Sequence, residues 1–171
     1  RYGHNEFYIA FGYKGHIIKD YFKKIKFPKN IKINLIDTGK NTMTGGRLKR
    51  LKKYIGNETF LLTYGDAVTD LNIQEVVNYH KSHGKMVTIT GVRPPARFGA
   101  IKINGAKVTY FKEKSKLDEG WINGGFFVFE PEFLEFLDDD STVLEQDPLE
   151  KLSSLGELMA FSHDGFWQCM D

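Results

Sequence analysis

Apolar positions along this chain recur with two alternating spacings, short strand-like runs followed by longer helix-like ones. Phe7-Tyr8-Ile9-Ala10-Phe11 reads as a buried strand, Gly12-Tyr13-Lys14-Gly15 as a turn, and Ile17, Ile18, Tyr21 and Phe22 follow at helical spacing. After a break at Phe27-Pro28, the stretch from Ile31 to Ile36 alternates apolar and polar side chains and runs into a polar loop at Asp37-Thr38-Gly39. Arg47 opens a helix in which Leu48, Leu51 and Ile55 form the apolar side, Lys and Arg cover the rest, and Gly56 supplies a stop. Phe60 to Tyr64 reads as a buried central strand. Asn72 then caps a helix carrying Ile73, Val76, Val77 and His80, which ends near Gly84 before a strand from Met86 to Val92.

This βαβαβαβ order predicts a doubly wound α/β fold with a mostly parallel sheet, because right-handed crossovers place a helix between successive parallel strands. The pattern then changes. Gly99 to Ile103 and Lys107 to Phe111 flank Asn104-Gly105, a hairpin signal, so a β-hairpin is added to the sheet. Gly125 to Phe129 reads as a further strand, Pro131 as a helix start, Pro148 to Leu155 as a helix stopped by Gly156, and Leu158 to Phe161 as a last strand. No repeat, low-complexity tract or linker divides the chain, so residues 1–171 are expected to form a single domain.

The composition narrows the function classes. A chain of 171 residues, 41% hydrophobic and 14% aromatic, is long enough for one sizeable core. With 24 basic and 22 acidic residues the net charge is only +2, which gives no general pull toward nucleic acid or an anionic membrane; any phosphate recognition must be local. The single cysteine, Cys169, excludes an internal disulfide framework and fits a reducing cytoplasm. No apolar stretch approaches the roughly 20 residues needed to span a bilayer.

The candidate chemistry begins with two carboxylates, Asp66 after the strand-like run Phe60 to Tyr64, and Asp171 after Phe166-Trp167-Gln168-Cys169-Met170. In open α/β sheets ligands bind beyond the carboxyl ends of strands, where a hard oxygen ligand is suited to hold Mg²⁺ against a nucleotide phosphate. A turn residue and a solvated terminus are the alternatives. The loop from Asp37 through Thr42-Met43-Thr44-Gly45-Gly46-Arg47 opens into a helix whose N-terminal amides attract anions, although a cap and a tight turn explain the same glycines. Arg93 and Arg97, Glu113-Lys114 and Asn123-Gly124-Gly125 divide similarly between phosphate or sugar contacts and ordinary surface or turn roles.

Taken in order, Thr42-Met43-Thr44-Gly45-Gly46-Arg47-Leu48, Tyr64-Gly65-Asp66, Phe98-Gly99-Ala100, Glu113-Lys114, Ile122-Asn123-Gly124-Gly125-Phe126-Phe127 and Phe166-Trp167-Gln168-Cys169-Met170-Asp171 resemble the glucose-1-phosphate cytidylyltransferases, within the sugar-phosphate nucleotidyltransferases. The resemblance spans nearly the whole chain. It implies a Rossmann-like nucleotidyltransferase fold and a reaction of CTP with glucose 1-phosphate that yields CDP-glucose, a deoxysugar precursor, and pyrophosphate. It further implies Mg²⁺ between Asp66 and Asp171, a catalytic role for Arg47 beside them, nucleotide contacts from Thr42, Gly45, Arg47 and Gly65, and sugar-phosphate contacts from Gly99, Glu113, Lys114, Asn123 and Gly124. The small-molecule substrates are the expected partners, with no nucleic acid and no membrane, in a cytoplasmic homo-oligomer.

The same resemblance implies an earlier strand and a Gly-rich loop with a Thr-Arg pair, features that precede Arg1 in the family pattern. Nucleotidyl transfer needs positioning and charge neutralisation more than a protein nucleophile. His80, His83 and His163 are accordingly expected to be structural or surface groups.

Overall fold

The computed structural model describes residues 2–94, 100–112 and 120–170. In chain order the elements are β1 (Glu6–Phe11), α1 (Gly15–Lys24), β2 (Lys32–Asp37), α2 (Thr44–Ile55), β3 (Phe60–Thr63), β4 (Ala67–Thr69), α3 (Ile73–His83), β5 (Val87–Val92), β6 (Ala100–Asn104), β7 (Lys107–Lys112), β8 (Ile122–Phe129), a 3-10 helix (Pro131–Phe136), α4 (Asp147–Ser154), β9 (Leu158–His163) and β10 (Trp167–Cys169). Two compact units are formed: Arg1–Phe60 with Lys85–Val87 and Phe129–Leu158, and Leu61–Gly84 with Thr88–Val128 and Met159–Asp171.

In the first unit β1 and β2 pair in parallel, Glu6 opposite Lys32 and Phe11 opposite Asp37. The expected buried strand is half-buried: Phe11 is buried while Phe7 is exposed, since among the described residues β1 pairs with β2 alone, in a two-stranded sheet. α2 begins at Thr44, one turn earlier than the apolar spacing implied, and buries Gly45, Gly46, Leu48 and Leu51. Its basic face is tied down. Arg50 Nε donates to Asp140 Oδ1 at 2.8 Å, Lys52 pairs with Glu135, and Lys49 donates to the carbonyls of Leu137 and Asp138. Pro131 opens a 3-10 helix whose Phe133 stacks on Phe129 at 4.5 Å, and Phe129 stacks on Phe60 at 5.3 Å. With Leu134, Leu137, Leu144 and Leu152, also buried, these rings make the core of this unit.

Most of the four-stranded sheet, in the order β3-β8-β5-β9, lies in the second unit. β3 is therefore an edge strand and not the central one, and Leu61 on it is exposed. Apolar content could not reveal this, because the strands that occupy the centre come from later in the chain. α3 follows the expectation: Asn72 Oδ1 accepts the Gln74 amide at 3.1 Å, and Gly84 ends the helix with φ +62°. Leu71, Val76 and Val128 form a buried cluster flanked by Ile73, Val77, Phe126 and Phe161. His80 is buried with Nδ1 2.8 Å from the Thr88 hydroxyl, a structural place. The expected hairpin is β6–β7, antiparallel, with Asn104 opposite Lys107. Sequence spacing did not foresee β4 and β10, which pair antiparallel. The fold is thus α/β with mixed strand directions.

Candidate active site

Of the residues named from sequence, Thr42, Gly45 and Arg47 belong to the first unit, and Gly65, Asp66, Asn123 and Gly124 to the second. Gly99, Glu113, Lys114 and Asp171 lie outside the described residues.

In the first unit the site forms at the carboxyl ends of the parallel strands β1 and β2, where α/β sheets bind ligands. Thr38, fully buried just past β2, donates through both its amide and its hydroxyl to the Phe11 carbonyl, at 2.9 Å each. Its hydroxyl oxygen in turn accepts Arg47 Nη1 at 2.6 Å. This aims the guanidinium across Gly12: a Cβ there would stand 2.2 Å from the Gly39 carbonyl and 2.8 Å from both Arg47 terminal nitrogens. Asp37 Oδ1 accepts the Gly39 amide at 3.0 Å and so shapes the turn in which Gly39 takes φ +89°. Thr42 is buried against that turn. The structure therefore gathers Thr42 and Arg47, and it adds Gly12 and Thr38, which sequence reading had as turn and loop residues. The signal was position: Gly12 directly follows an apolar run, and Thr38 lies in the polar loop just past a strand-like one.

Gly45 and Gly46 have a different use here. Their amides donate to the Thr142 carbonyl at 3.0 and 3.2 Å, and a Cβ would stand 2.8 Å from Thr142 Cγ2 at Gly45 and 2.6 Å from the Asp140 Cα at Gly46. The close approach that glycine permits is that of the 140–142 segment to the first turn of α2.

In the second unit Asp66 is exposed between β3 and β4. β10 pairs with β4 so that Trp167, Gln168 and Cys169 face Thr69, Val68 and Ala67, and the Met170 amide donates to the Asp66 carbonyl at 2.7 Å. Asn123 and Gly124 fall inside β8 and not at its entrance. Asn123 Oδ1 accepts the Gly125 amide at 2.8 Å, its Nδ2 donates to the Tyr64 hydroxyl at 3.4 Å, and the Tyr64 amide donates to the Gly125 carbonyl at 3.1 Å. Gly125 has φ +77°, and a Cβ there would meet the Tyr64 ring at 2.7 Å, so glycine is required on both counts. On the other side Trp167 Nε1 donates to the Gly124 carbonyl at 2.9 Å. Tyr64, two residues before Asp66, and Trp167, opposite Thr69 in the β4–β10 pair, thus link Asn123 and Gly124 to the segments around Asp66.

Among the described residues no group of three or more His, Cys, Asp or Glu gathers for a metal. Asp66 is an exposed hard oxygen donor, of the kind Mg²⁺ takes one or two of while completing its shell with water and phosphate oxygens.

A family model for nucleotidyl transferases matches residues 2–168. The chain belongs to the nucleotidyl transferase family. Its relatives include the glucose-1-phosphate cytidylyltransferase of Salmonella typhimurium, 45% identical over 99% of this chain and 74% of that protein. A probable glucose-1-phosphate cytidylyltransferase of Bacillus subtilis is 38% identical over the same shares. Among solved structures HddC from Yersinia pseudotuberculosis superposes with a TM-score of 0.72 at 25% identity, covering 98% of this nucleotidyl transferase and 74% of that chain. For this family member no helix of the described residues is long and apolar enough to cross a membrane.

Proposed function

We propose that the protein transfers CMP from CTP to α-D-glucose 1-phosphate, giving CDP-glucose and pyrophosphate. The observation that carries this reading is the 45% identity to a glucose-1-phosphate cytidylyltransferase along nearly the whole chain. A phosphate oxygen of glucose 1-phosphate attacks the α-phosphorus of CTP, the new P–O bond forms, and the bond to the β-phosphate breaks with release of pyrophosphate. The attacking oxygen is already anionic at neutral pH, so no side chain has to remove a proton.

Arg47, held by Thr38, supplies positive charge to the nucleotide phosphates, with Thr42 and Gly65 contributing nucleotide contacts. Gly99, Glu113, Lys114, Asn123 and Gly124 take the sugar phosphate. Asp66 and Asp171 would hold Mg²⁺, which would supply charge neutralisation at the reacting phosphates. The reading includes a cytoplasmic location and assembly of copies of the chain.

The test is pyrophosphate release with glucose 1-phosphate and Mg²⁺ across CTP, UTP, dTTP, ATP and GTP in parallel. Preference for CTP is the expected result. Preference for another nucleotide would reassign the base, and ligand binding with no release from any of them would make the protein a noncatalytic sugar-nucleotide binder.

A further inference from the structure

The turn between β9 and β10 is fastened to the residues after β4 by a compact set of bonds. Asp70 Oδ1 accepts the Phe166 amide at 2.9 Å and lies 2.9 Å from His163 Nε2. The Phe166 carbonyl accepts the Asp70 amide at 3.2 Å and the Thr69 hydroxyl at 2.8 Å. With its hydrogen committed there, Thr69 Oγ1 acts as an acceptor toward the Leu71 amide at 3.2 Å and toward His163 Nε2 at 3.2 Å. His163 Nε2 therefore faces the Asp70 carboxylate, the Thr69 oxygen and the Phe166 carbonyl at 3.3 Å, and this surround of acceptors assigns the hydrogen to Nε2. Gly165 has no space for a side chain, since a Cβ would stand 2.5 Å from both Asp70 Oδ1 and His163 Cε1.

From this staple the β4–β10 ladder runs through Trp167–Thr69, Gln168–Val68 and Cys169–Ala67 to the Met170–Asp66 bond of 2.7 Å. Strands of three residues are marginal as an isolated pair, and their register needs fixing from outside. A slip of one residue moves a side chain by about 3.3 Å and turns it to the other face. Mg²⁺ tolerates no such error, because it demands near-ideal octahedral geometry.

We infer that Asp70, His163 and Gly165 are positioning residues for metal binding: by closing one end of the β4–β10 ladder they set the register in which Met170, the residue before Asp171 in the chain, meets Asp66. The inference rests on the reading of Asp66 and Asp171 as the metal-holding carboxylates. The three residues touch neither substrate nor metal and act through the backbone. Of the three, sequence reading singled out only His163, as a structural or surface group.

The experiment compares Asp70→Ala, Gly165→Ala and His163→Leu with the unaltered chain, using Mn²⁺ alone as the probe and reading free Mn²⁺ by electron paramagnetic resonance. Melting curves identify which variants fold, and the three independent substitutions guard against the loss of any one. Mn²⁺ affinity is expected to fall about tenfold in the folded variants, the effect usual for groups that orient metal ligands. Asp70→Asn, which keeps an acceptor in place, should recover most of the loss. The Mg²⁺ concentration for half-maximal pyrophosphate release should rise more than KM for CTP does, and the Met170 amide should exchange its hydrogen faster.

Unaltered Mn²⁺ affinity in the folded variants would overturn the inference. An unaltered chain that takes up no Mn²⁺ would remove the metal reading and the inference together. A chain that binds Mn²⁺ through Asp66 but prefers a nucleotide other than CTP loses only its base assignment, and the Mn²⁺ affinities still decide the staple.

Discussion

Met170 and Asp66 are joined backbone to backbone, the amide of the first donating to the carbonyl of the second at 2.7 Å. The bond uses the Asp66 carbonyl and not its carboxylate, and the residue is exposed. Asp66→Asn keeps the shape and removes the charge. Turnover with Mg²⁺ should fall by about 3 kcal/mol of barrier, roughly a hundredfold, with little change in melting temperature. Steady-state kinetics across a Mg²⁺ titration measure this; wild-type rates in the variant would remove Asp66 from the metal site.

Thr38 holds Arg47 from a fully buried position. Thr38→Val keeps the volume but takes away the oxygen that accepts Arg47 Nη1 and donates to the Phe11 carbonyl. A loss of about 1–3 kcal/mol in unfolding free energy is expected from the unsatisfied partners. KM for CTP should rise as well, because the guanidinium is no longer aimed. Urea unfolding and KM measured on one preparation separate the two effects.

Gly12 is the floor beneath that guanidinium. Gly12→Ala would put a Cβ 2.2 Å from the Gly39 carbonyl, a backbone atom that cannot swing away as a side chain does. Overpacking of this kind costs about 1–3 kcal/mol. The melting temperature should drop and KM for CTP should rise, whereas Gly56→Ala, where no atom lies within 4 Å of the Cβ, should leave KM unmoved.

Acid should loosen the first unit. The Lys32 hydrogen bond holds Glu6 below its ordinary value, Arg50 does the same for Asp140, the Ser141 hydroxyl for Asp139, and Lys52 for Glu135. A carboxylate with a depressed folded-state pKa adds stability above its ordinary value, and that stability disappears as pH falls through the depressed one. Thermal midpoints should therefore be level near neutrality and decline below the ordinary carboxylate range. All four groups are solvent-exposed, so each contribution is modest. Arg50→Gln should flatten part of the decline; an identical pH profile in that variant would show that Asp140 adds nothing. Lys32 and Tyr8, whose pKa values Glu6 raises, set the other limit of the same bonds, which are lost again as pH rises through those raised values.

Much of the framework was legible before any coordinates. Asn72 and Gly84 bound α3, Gly56 follows α2, and Asn104-Gly105 turns β6 into β7, because each depends on the conformation of a few adjacent residues. The strand at Ala67–Thr69 and the one at Trp167–Cys169 were not legible. Each is three residues long, too short to show a period, and exists only because the other pairs with it.

The same distinction separates the candidate residues from their arrangement. By itself the sequence determined the alternation of strands and helices, the turn chemistry, the ordered motifs and the identity of Asp66, Arg47 and Asn123 as candidates. Tertiary structure decided that β3 is an edge strand, that Thr38 and Gly12 frame Arg47, that Gly45 faces Thr142, and that Asp70 and His163 staple the turn leading to Met170. Periodicity and turn preference are properties of neighbouring residues, whereas these contacts join segments far apart in the chain, and their pairing is set by burial and backbone hydrogen bonding once the chain has folded.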